Sequence, residues 1–336
     1  MKILFIGLGG IGQRHLRNLY VKFGDSVSFL AYRVRNSRKT VTPTLTIDEG
    51  VDFIEKYRVK VFSNLYEAFL EAPDIAFICN PSSFHIPICI KAAKAGCHIF
   101  VEKPLSHLMD GVDELVELCR LKKLTTLVGF QLRFHPCYTL VKRLVEEEAI
   151  GKLLSIRAEV GEYMPGFHKY EDYRELYTSK KDLGGGVVLS QIHEIDYLYD
   201  LFGMPNKVFA FGGHMSSLEI DVEDTVDILM DTTFKGTNLP VSLHMDYIQQ
   251  PPSRNCKIIG EDGKIIMDFV ESKVVIERSE GKEVHSFVFE RNDLFVKEID
   301  HFFDCIFTKQ QTIVPIEEGV NSLKIALRIK ESMGST

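Results

Sequence analysis

Three groups of residues in this chain have the types and spacing to do chemistry. The first is Gly7-Leu8-Gly9-Gly10-Ile11-Gly12, which follows the short apolar run Lys2–Ile6 and precedes a stretch of helical character, Gln13–Leu19. Strand, G-x-G-x-x-G and helix in that order cradle a dinucleotide pyrophosphate. Gly7 permits the tight turn, Gly9 lets the backbone approach the phosphates, and Gly12 lets helix and strand pack closely. The N–H groups of the first helical turn, from Gly10 and Ile11 onward, face the anion. The second group is Lys103, which ends an apolar run where open α/β sheets place their ligands. A lysine there can hydrogen-bond an alcohol oxygen and stabilise developing alkoxide charge. Its ordinary pKa of about 10.4 is high for a general acid, and burial or a nearby positive charge would lower it. The third is His193, whose ordinary pKa of about 6.5 suits a general base. Gly184-Gly185-Gly186 allows close backbone approach just before it. Asp196 lies three residues on and on the same helical face, placed to orient the imidazole or to contact a neighbouring helix.

Cofactor choice is read from the second strand. An acid about 20 residues past the glycines normally binds the ribose of NAD. Here the strand ends in Tyr32-Arg33, with Arg35 and Arg38 beyond and no Asp or Glu. Arginine can pair with a 2′-phosphate and stack on adenine, which favours NADP(H) over NAD. The alternative is a basic surface cluster with the ribose held another way. For the substrate, the segment Gly161–Arg174 is rich in aromatic and hydrogen-bonding groups, among them Tyr163, His168, Tyr170 and Arg174. Aromatic faces with Arg and His suit a sugar, with or without a carboxylate or phosphate. Arg133, His135 and Arg254 are further candidates for that role.

The elements that must position these groups follow from periodicity. Apolar β-rich runs at 2–6, 26–31, 74–79, 98–101 and 125–130 alternate with helical stretches at 12–23, 64–71, 83–95 and 107–122. Such alternation implies parallel strands with right-handed crossovers, a doubly wound sheet. From about 151 the runs at 153–160, 207–212, 225–230, 241–247, 257–259 and 273–277 have few helices between them, and Glu261-Asp262-Gly263-Lys264 reads as a hairpin turn. A mostly antiparallel sheet is expected there, with one helix at about 188–202 and two more near 293–308 and 316–332. The expected division is a dinucleotide-binding domain over 1–130 and a substrate-binding and oligomerisation domain over 131–336, with the last helix free to pack back on the first.

Composition narrows the class. A chain of 336 residues with 45% hydrophobic and 26% charged residues has room for two cores. Its net charge of −7 argues against a nucleic-acid or anionic-membrane partner. No apolar run approaches the ~20 residues of a membrane span, and the N-terminus reads as a strand rather than a signal peptide, so a cytoplasmic protein is expected. The seven cysteines form no C-x-x-C, and several lie in apolar segments. Reduced core thiols are expected, with no disulfide framework and no metal.

Further stretches carry a family resemblance. Cys79-Asn80-Pro81-Ser82-Ser83-Phe84-His85, Phe100-Val101-Glu102-Lys103-Pro104-Leu105, Gly129–Phe134 and Gly184-Gly185-Gly186…His193-Glu194-Ile195-Asp196, together with the glycine motif, span nearly the whole chain. In this combination the chain resembles the Gfo/Idh/MocA oxidoreductases, which include glucose–fructose oxidoreductase and inositol dehydrogenase. The resemblance implies a Rossmann domain, then an α/β domain on a large open sheet whose outer face makes a homodimer or homotetramer. It implies that Lys103 touches both the reacting hydroxyl and the nicotinamide ribose, and that His193 exchanges the proton. Asn80, Pro81 and His85 would line the nicotinamide crevice, with Glu102 and Lys103 closing it. Many relatives carry an Asp four residues before this histidine; here that residue is Leu189, followed by Ser190. The implied activity is NAD(P)-dependent hydride transfer to or from a secondary alcohol of a sugar-like substrate. The alternatives are a redox-assisted glycosidase with recycled NAD and a non-catalytic dinucleotide sensor.

Overall fold

The computed structural model describes residues 1–34, 39–168 and 170–334. The chain runs β1 (Lys2–Ile6), α1 (Gly10–Phe23), β2 (Ser28–Tyr32), the short pair β3 (Thr40–Val41) and β4 (Ile47–Asp48), α2 (Phe53–Lys56), β5 (Lys60–Phe62), α3 (Leu65–Leu70), β6 (Ile75–Ile78), α4 (His85–Ala95), β7 (His98–Glu102), α5 (Val112–Leu121) and β8 (Thr126–Gly129). It continues with α6 (Pro136–Glu146), β9 (Leu153–Gly161), α7 (Val187–Ser190), α8 (His193–Phe202), β10 (Pro205–Gly213), β11 (Thr225–Phe234), β12 (Thr237–Asp246), β13 (Ser253–Gly260), β14 (Gly263–Asp268), β15 (Lys273–Arg278), β16 (Gly281–Ser286), α9 (Arg291–Thr308) and α10 (Ile316–Gly334).

Two compact units result. The first holds residues 1–129, 168–172 and 291–320; the second holds 130–167, 173–290 and 321–336. In the first, six strands pair in the order β5-β2-β1-β6-β7-β8, and every pairing is parallel. The inner strands are nearly continuous apolar runs because helices cover both sheet faces. Strand order reverses between β1 and β6, so the glycine turn after β1 and Cys79-Asn80 after β6 flank the switch point where such sheets bind ligands.

The chain leaves the first unit after residue 129 and returns to it over residues 291–320. Residues 291–320 fold with the first unit because α9 is amphipathic toward its core. Ile299, Phe302 and Phe303 join Phe5, Phe77 and Phe100 in one buried cluster. Phe77 stacks on Phe100 at 4.6 Å, and Phe302 meets both edge-on at 6.2 and 5.8 Å. The penultimate helix therefore completes the first core, while α10 is shared, its residues from 321 onward belonging to the second unit.

The second unit is an eight-stranded sheet, β10-β11-β12-β9-β13-β14-β15-β16, antiparallel except where β12 meets β9. Alternation sends Val226, Ile228, Met230, Leu243 and Ile258 inward, where α6, α7 and α8 contact the sheet. The opposite face carries exposed Phe209, Phe211 and Leu229. The helix expected over 188–202 is broken: α7 ends at Ser190 and α8 starts afresh at His193. Among the described residues no helix is long and apolar enough to cross a membrane.

Candidate active site

The glycine turn fits a dinucleotide on steric grounds. Gly7 has φ +93°, and a Cβ there would stand 3.0 Å from the Cys79 carbonyl oxygen. A Cβ on Gly12 would collide with the Gly7 carbonyl oxygen, whereas one on Gly9 would meet nothing within 4 Å. The turn is thus closed toward the protein and open at Gly9. Gly9 caps α1 without any side-chain hydrogen bond, so the first-turn N–H groups of Gly10 and Ile11 are not claimed by a cap. A pyrophosphate would be held by these donors and by the positive end of the helix.

At the adenosine end, Arg33 follows Tyr32 at the end of β2. Arg33, Lys39 and Asp52 line one small pocket with Leu8, Gln13 and Phe53. Burial lowers the Arg33 pKa, and Asp52 opposes that. Asp52 also caps α2, its Oδ1 accepting from the Ile54 and Glu55 amides. The sequence reading missed it because it counted about 20 residues past the glycines. Between β2 and α2 the chain detours through the β3–β4 pair, which returns an acid much later. Arg35 and Arg38 lie outside the described residues.

Around the crevice, His85 faces a carbonyl with each ring nitrogen, and the protonated nitrogen donates: Nδ1 is 2.9 Å from the Pro104 carbonyl and Nε2 is 2.8 Å from the Asn80 carbonyl. Its burial lowers its pKa, while the two carbonyls pull the other way. One imidazole thus ties the segment after β6, with Asn80 and Pro81, to the segment after β7. Lys103 is half-buried immediately after β7. Glu102 points to the opposite side of that strand, into the core, where its Oε1 lies 2.6 Å from Nε2 of His15 on α1. Behind this pair stands Glu298 of α9, fully buried, with neither oxygen hydrogen-bonded among the described residues. Burial, then the neighbouring Glu102, pushes the Glu298 carboxyl well above its ordinary range. Burial and the same two carboxyls raise the Cys79 thiol. His15 and Glu298 went unnoticed in the sequence because nothing local marks them as partners of Glu102.

In the second unit His193 is the first residue of α8. It is buried, with its ring edge-on to Phe130 at 5.7 Å. Asp196 does not orient it. The Asp196 carboxylate grips Arg133, with Nε at 2.6 Å and Nη2 at 3.0 Å, and accepts from Ser322 Oγ at 2.9 Å. Asp200 takes the remaining side of the guanidinium. Burial opposes the Arg133 charge, but the two carboxylates outweigh it and hold its pKa above the ordinary value. Arg133 is therefore held by two carboxylates inside the second unit. Arg254 also has an acid: Glu194, fully buried, is 2.9 Å from its Nε and accepts from its Nη2 at 3.2 Å. Arg174 pairs with Glu219 at 2.8 Å on the exposed surface, and Tyr163 is exposed. His135 caps α6, Nδ1 accepting from the Cys137 amide at 3.1 Å. Burial raises the pKa of the Tyr247 hydroxyl, at the end of β12.

His168 and Tyr170 fold with the first unit. Their rings stack at 5.4 Å and 13°. Lys169 between them lies outside the described residues. Among the described residues no cluster of His, Cys, Asp and Glu could hold a metal.

Comparison with known proteins agrees with this architecture. Residues 1–130 match the model of an oxidoreductase family with an NAD-binding Rossmann fold, and residues 138–266 match the GFO/IDH/MocA C-terminal domain. The chain is 27% identical to a myo-inositol 2-dehydrogenase of Thermotoga maritima, over 99% of this chain and 96% of that one. It is 24% identical to scyllo-inositol 2-dehydrogenase (NAD(+)) of Bacillus subtilis, over 97% and 92%. UDP-N-acetylglucosamine 3-dehydrogenase from Acidithiobacillus ferrooxidans shares the fold at TM-score 0.77 and 20% identity, covering 100% of this chain and 98% of that chain. Levoglucosan dehydrogenase in complex with NADH and L-sorbose does so at TM-score 0.82 and 18% identity, covering 100% and 97%.

Glu298 generates a prediction about stability. A carboxyl whose pKa is raised on folding keeps its proton in the native state, while the unfolded chain ionises at about 4.3. Native stability therefore falls as pH rises above that value. Glu298→Gln keeps the neutral shape and removes the titration. Its melting temperature should match wild type near pH 5 and exceed it increasingly toward pH 8, in paired thermal scans. A difference that stays flat or changes sign would show that Glu298 is ionised in the native protein.

Proposed function

The chain belongs to the Gfo/Idh/MocA family of NAD-binding oxidoreductases, and on that premise we propose that it transfers a hydride between a nicotinamide cofactor and a secondary alcohol or ketone of a sugar or polyol. The observation that carries this reading is the open glycine turn at the switch point of the first sheet, with Lys103 on the same C-terminal edge after β7, the strand beside β6. When bound, the nicotinamide takes or returns the hydride. Lys103 donates a hydrogen bond to the substrate oxygen and stabilises its negative charge as the O–H proton departs. His193 accepts that proton on oxidation and returns it on reduction. The His85 bridge and the Glu102–His15 contact hold the Lys103 segment in place. The inositol dehydrogenase relatives support a polyhydroxylated ring as substrate. A panel of such compounds, followed at the reduced-nicotinamide absorbance, tests the reading. With the substrate it returns, Lys103→Ala should lower turnover by ~10²–10³ and His193→Ala by ~10²–10⁴, both with cofactor affinity retained in titrations. Full turnover in either variant removes that residue from the mechanism.

NADP(H) is the preferred cofactor in this reading. Arg33 and Lys39 supply two cations to the adenosine end, and Asp52 is already engaged at the start of α2. Calorimetry should show tighter NADPH than NADH binding. Arg33→Ala should lose about tenfold in NADPH affinity, as expected for one charge-assisted contact, with little change for NADH. Tighter NADH binding by the wild type would reverse the assignment.

The outer face of the second sheet pairs two copies into a homodimer. Phe209, Phe211 and Leu229 are more than 60% exposed there. Arg157 and Lys257 share the face with Glu159 and Asp227, so a two-fold axis can set opposite charges together. His244 belongs to the same face. Its hydrogen bond with Asp246 raises its pKa to about 9, with burial opposing and Asp227 adding to the rise. Light scattering at micromolar concentration should give a dimer or larger assembly, and Leu229→Arg should give a monomer. A monomeric wild type counts against this interface.

A further inference from the structure

Tyr170 lies on the glycine turn, away from the sugar-binding role its ring suggests in the sequence. Its hydroxyl is 2.8 Å from the point where a Cβ on Gly10 would stand, and Gly10 is the first residue of α1. Arg14 lies one helical turn further along the same face. Arg14 is only 6% exposed, yet its hydrogen bonds go to neutral groups: the Asn292 side-chain oxygen at 3.0 Å and the Pro43 carbonyl at 3.1 Å. The guanidinium also sits 5.0 Å over the Phe295 ring. Burial first, then repulsion from Arg291 and Arg17, pulls its pKa down to about 10, and Tyr170 and Glu102 act in the opposite sense. Arg14 thus feels two other guanidiniums, and no carboxylate pairs with it among the described residues. A buried cation is stabilised when an anion reaches it, and a phosphate at a helix N-terminus is such an anion.

We propose that Tyr170 is a cofactor-binding residue whose hydroxyl donates a hydrogen bond to the pyrophosphate at the glycine turn, within the positive field of Arg14. The inference rests on the reading of that turn as the dinucleotide site and adds to it a donor from residues 168–172. Burial, with Glu171 adding to it and Arg14 opposing, raises the Tyr170 hydroxyl to about 12, so the group keeps its proton at neutral pH. His168 fixes the ring by stacking. Because the pyrophosphate is common to both cofactors, Tyr170 serves NAD(H) and NADP(H) equally, unlike Arg33.

The test is fluorescence titration of NADH and NADPH, and calorimetry of ADP-ribose, with wild type and Tyr170→Phe. Phenylalanine retains the ring and its stacking, and equal melting temperatures confirm an intact fold. Removing one hydrogen bond to a charged group should weaken all three ligands by about the same factor, near tenfold. Loss confined to NADPH, unchanged affinity, or tighter binding by the variant overturns the proposal. A wild type that binds none of the three ligands overturns the dinucleotide reading itself, which is a separate result.

Discussion

The first unit depends on a steric constraint at Gly12, where the backbone of the glycine turn leaves no room for a Cβ. Helix α1 consequently lies against the strand ends with only backbone between them. That seating decides where its side chains go. His15 enters the core beside Phe100 and reaches Glu102 at the end of β7. Arg14 is held on the face that leads back to Gly10 and Tyr170. Gly129 imposes a similar limit on the other side of Glu102, since a Cβ there would stand 3.2 Å from its Oε2. A glycine pattern that looks like a ligand signature is thus also what lets the helix deliver a histidine to the strand that carries Lys103.

The buried charges divide into two kinds. In the second unit Arg133 and Arg254 meet their acids inside the fold, in fork-like geometries that offset the cost of burial. Such arginines are largely neutralised by their own acids, so counting arginines near a site overstates its appetite for anions. Among the described residues of the first unit, Arg14 and Glu298 have no opposite partner of that kind. At Glu298 burial and the neighbouring Glu102 favour the neutral carboxyl. An arginine cannot readily discharge, so the same problem at Arg14 calls for an outside anion.

Much of the architecture was legible because it is written locally. Parallel strands show as apolar runs, amphipathic helices show as a 3.6-residue period, and the glycine turn needs only its own six residues. The hairpin at Glu261–Lys264 and both C-terminal helices were equally plain. Long-range partnership was not legible. The i,i+3 spacing correctly puts Asp196 and His193 one turn apart, but it cannot say that Arg133, 63 residues earlier, takes the carboxylate. The helix break at Gln191-Ile192 escaped notice because both halves are apolar and neither carries Pro or Gly there. The return of residues 291–320 to the first unit was not legible for a related reason. The apolar face of α9 announces that the helix is buried, but not against which core.

The position of α9 also bears on the order in which the protein can be made. All six strands of the first sheet are translated before residue 130, yet the core beneath them is closed by Ile299, Phe302 and Phe303. In most multidomain chains the N-terminal unit folds first, as it leaves the ribosome. Here that unit is unfinished until the strands of the second have emerged. Phe77 and Phe100 must therefore stay partly uncovered through most of synthesis. Helix α9, and not the earlier-made sheet, sets the moment at which the nucleotide-binding half becomes native.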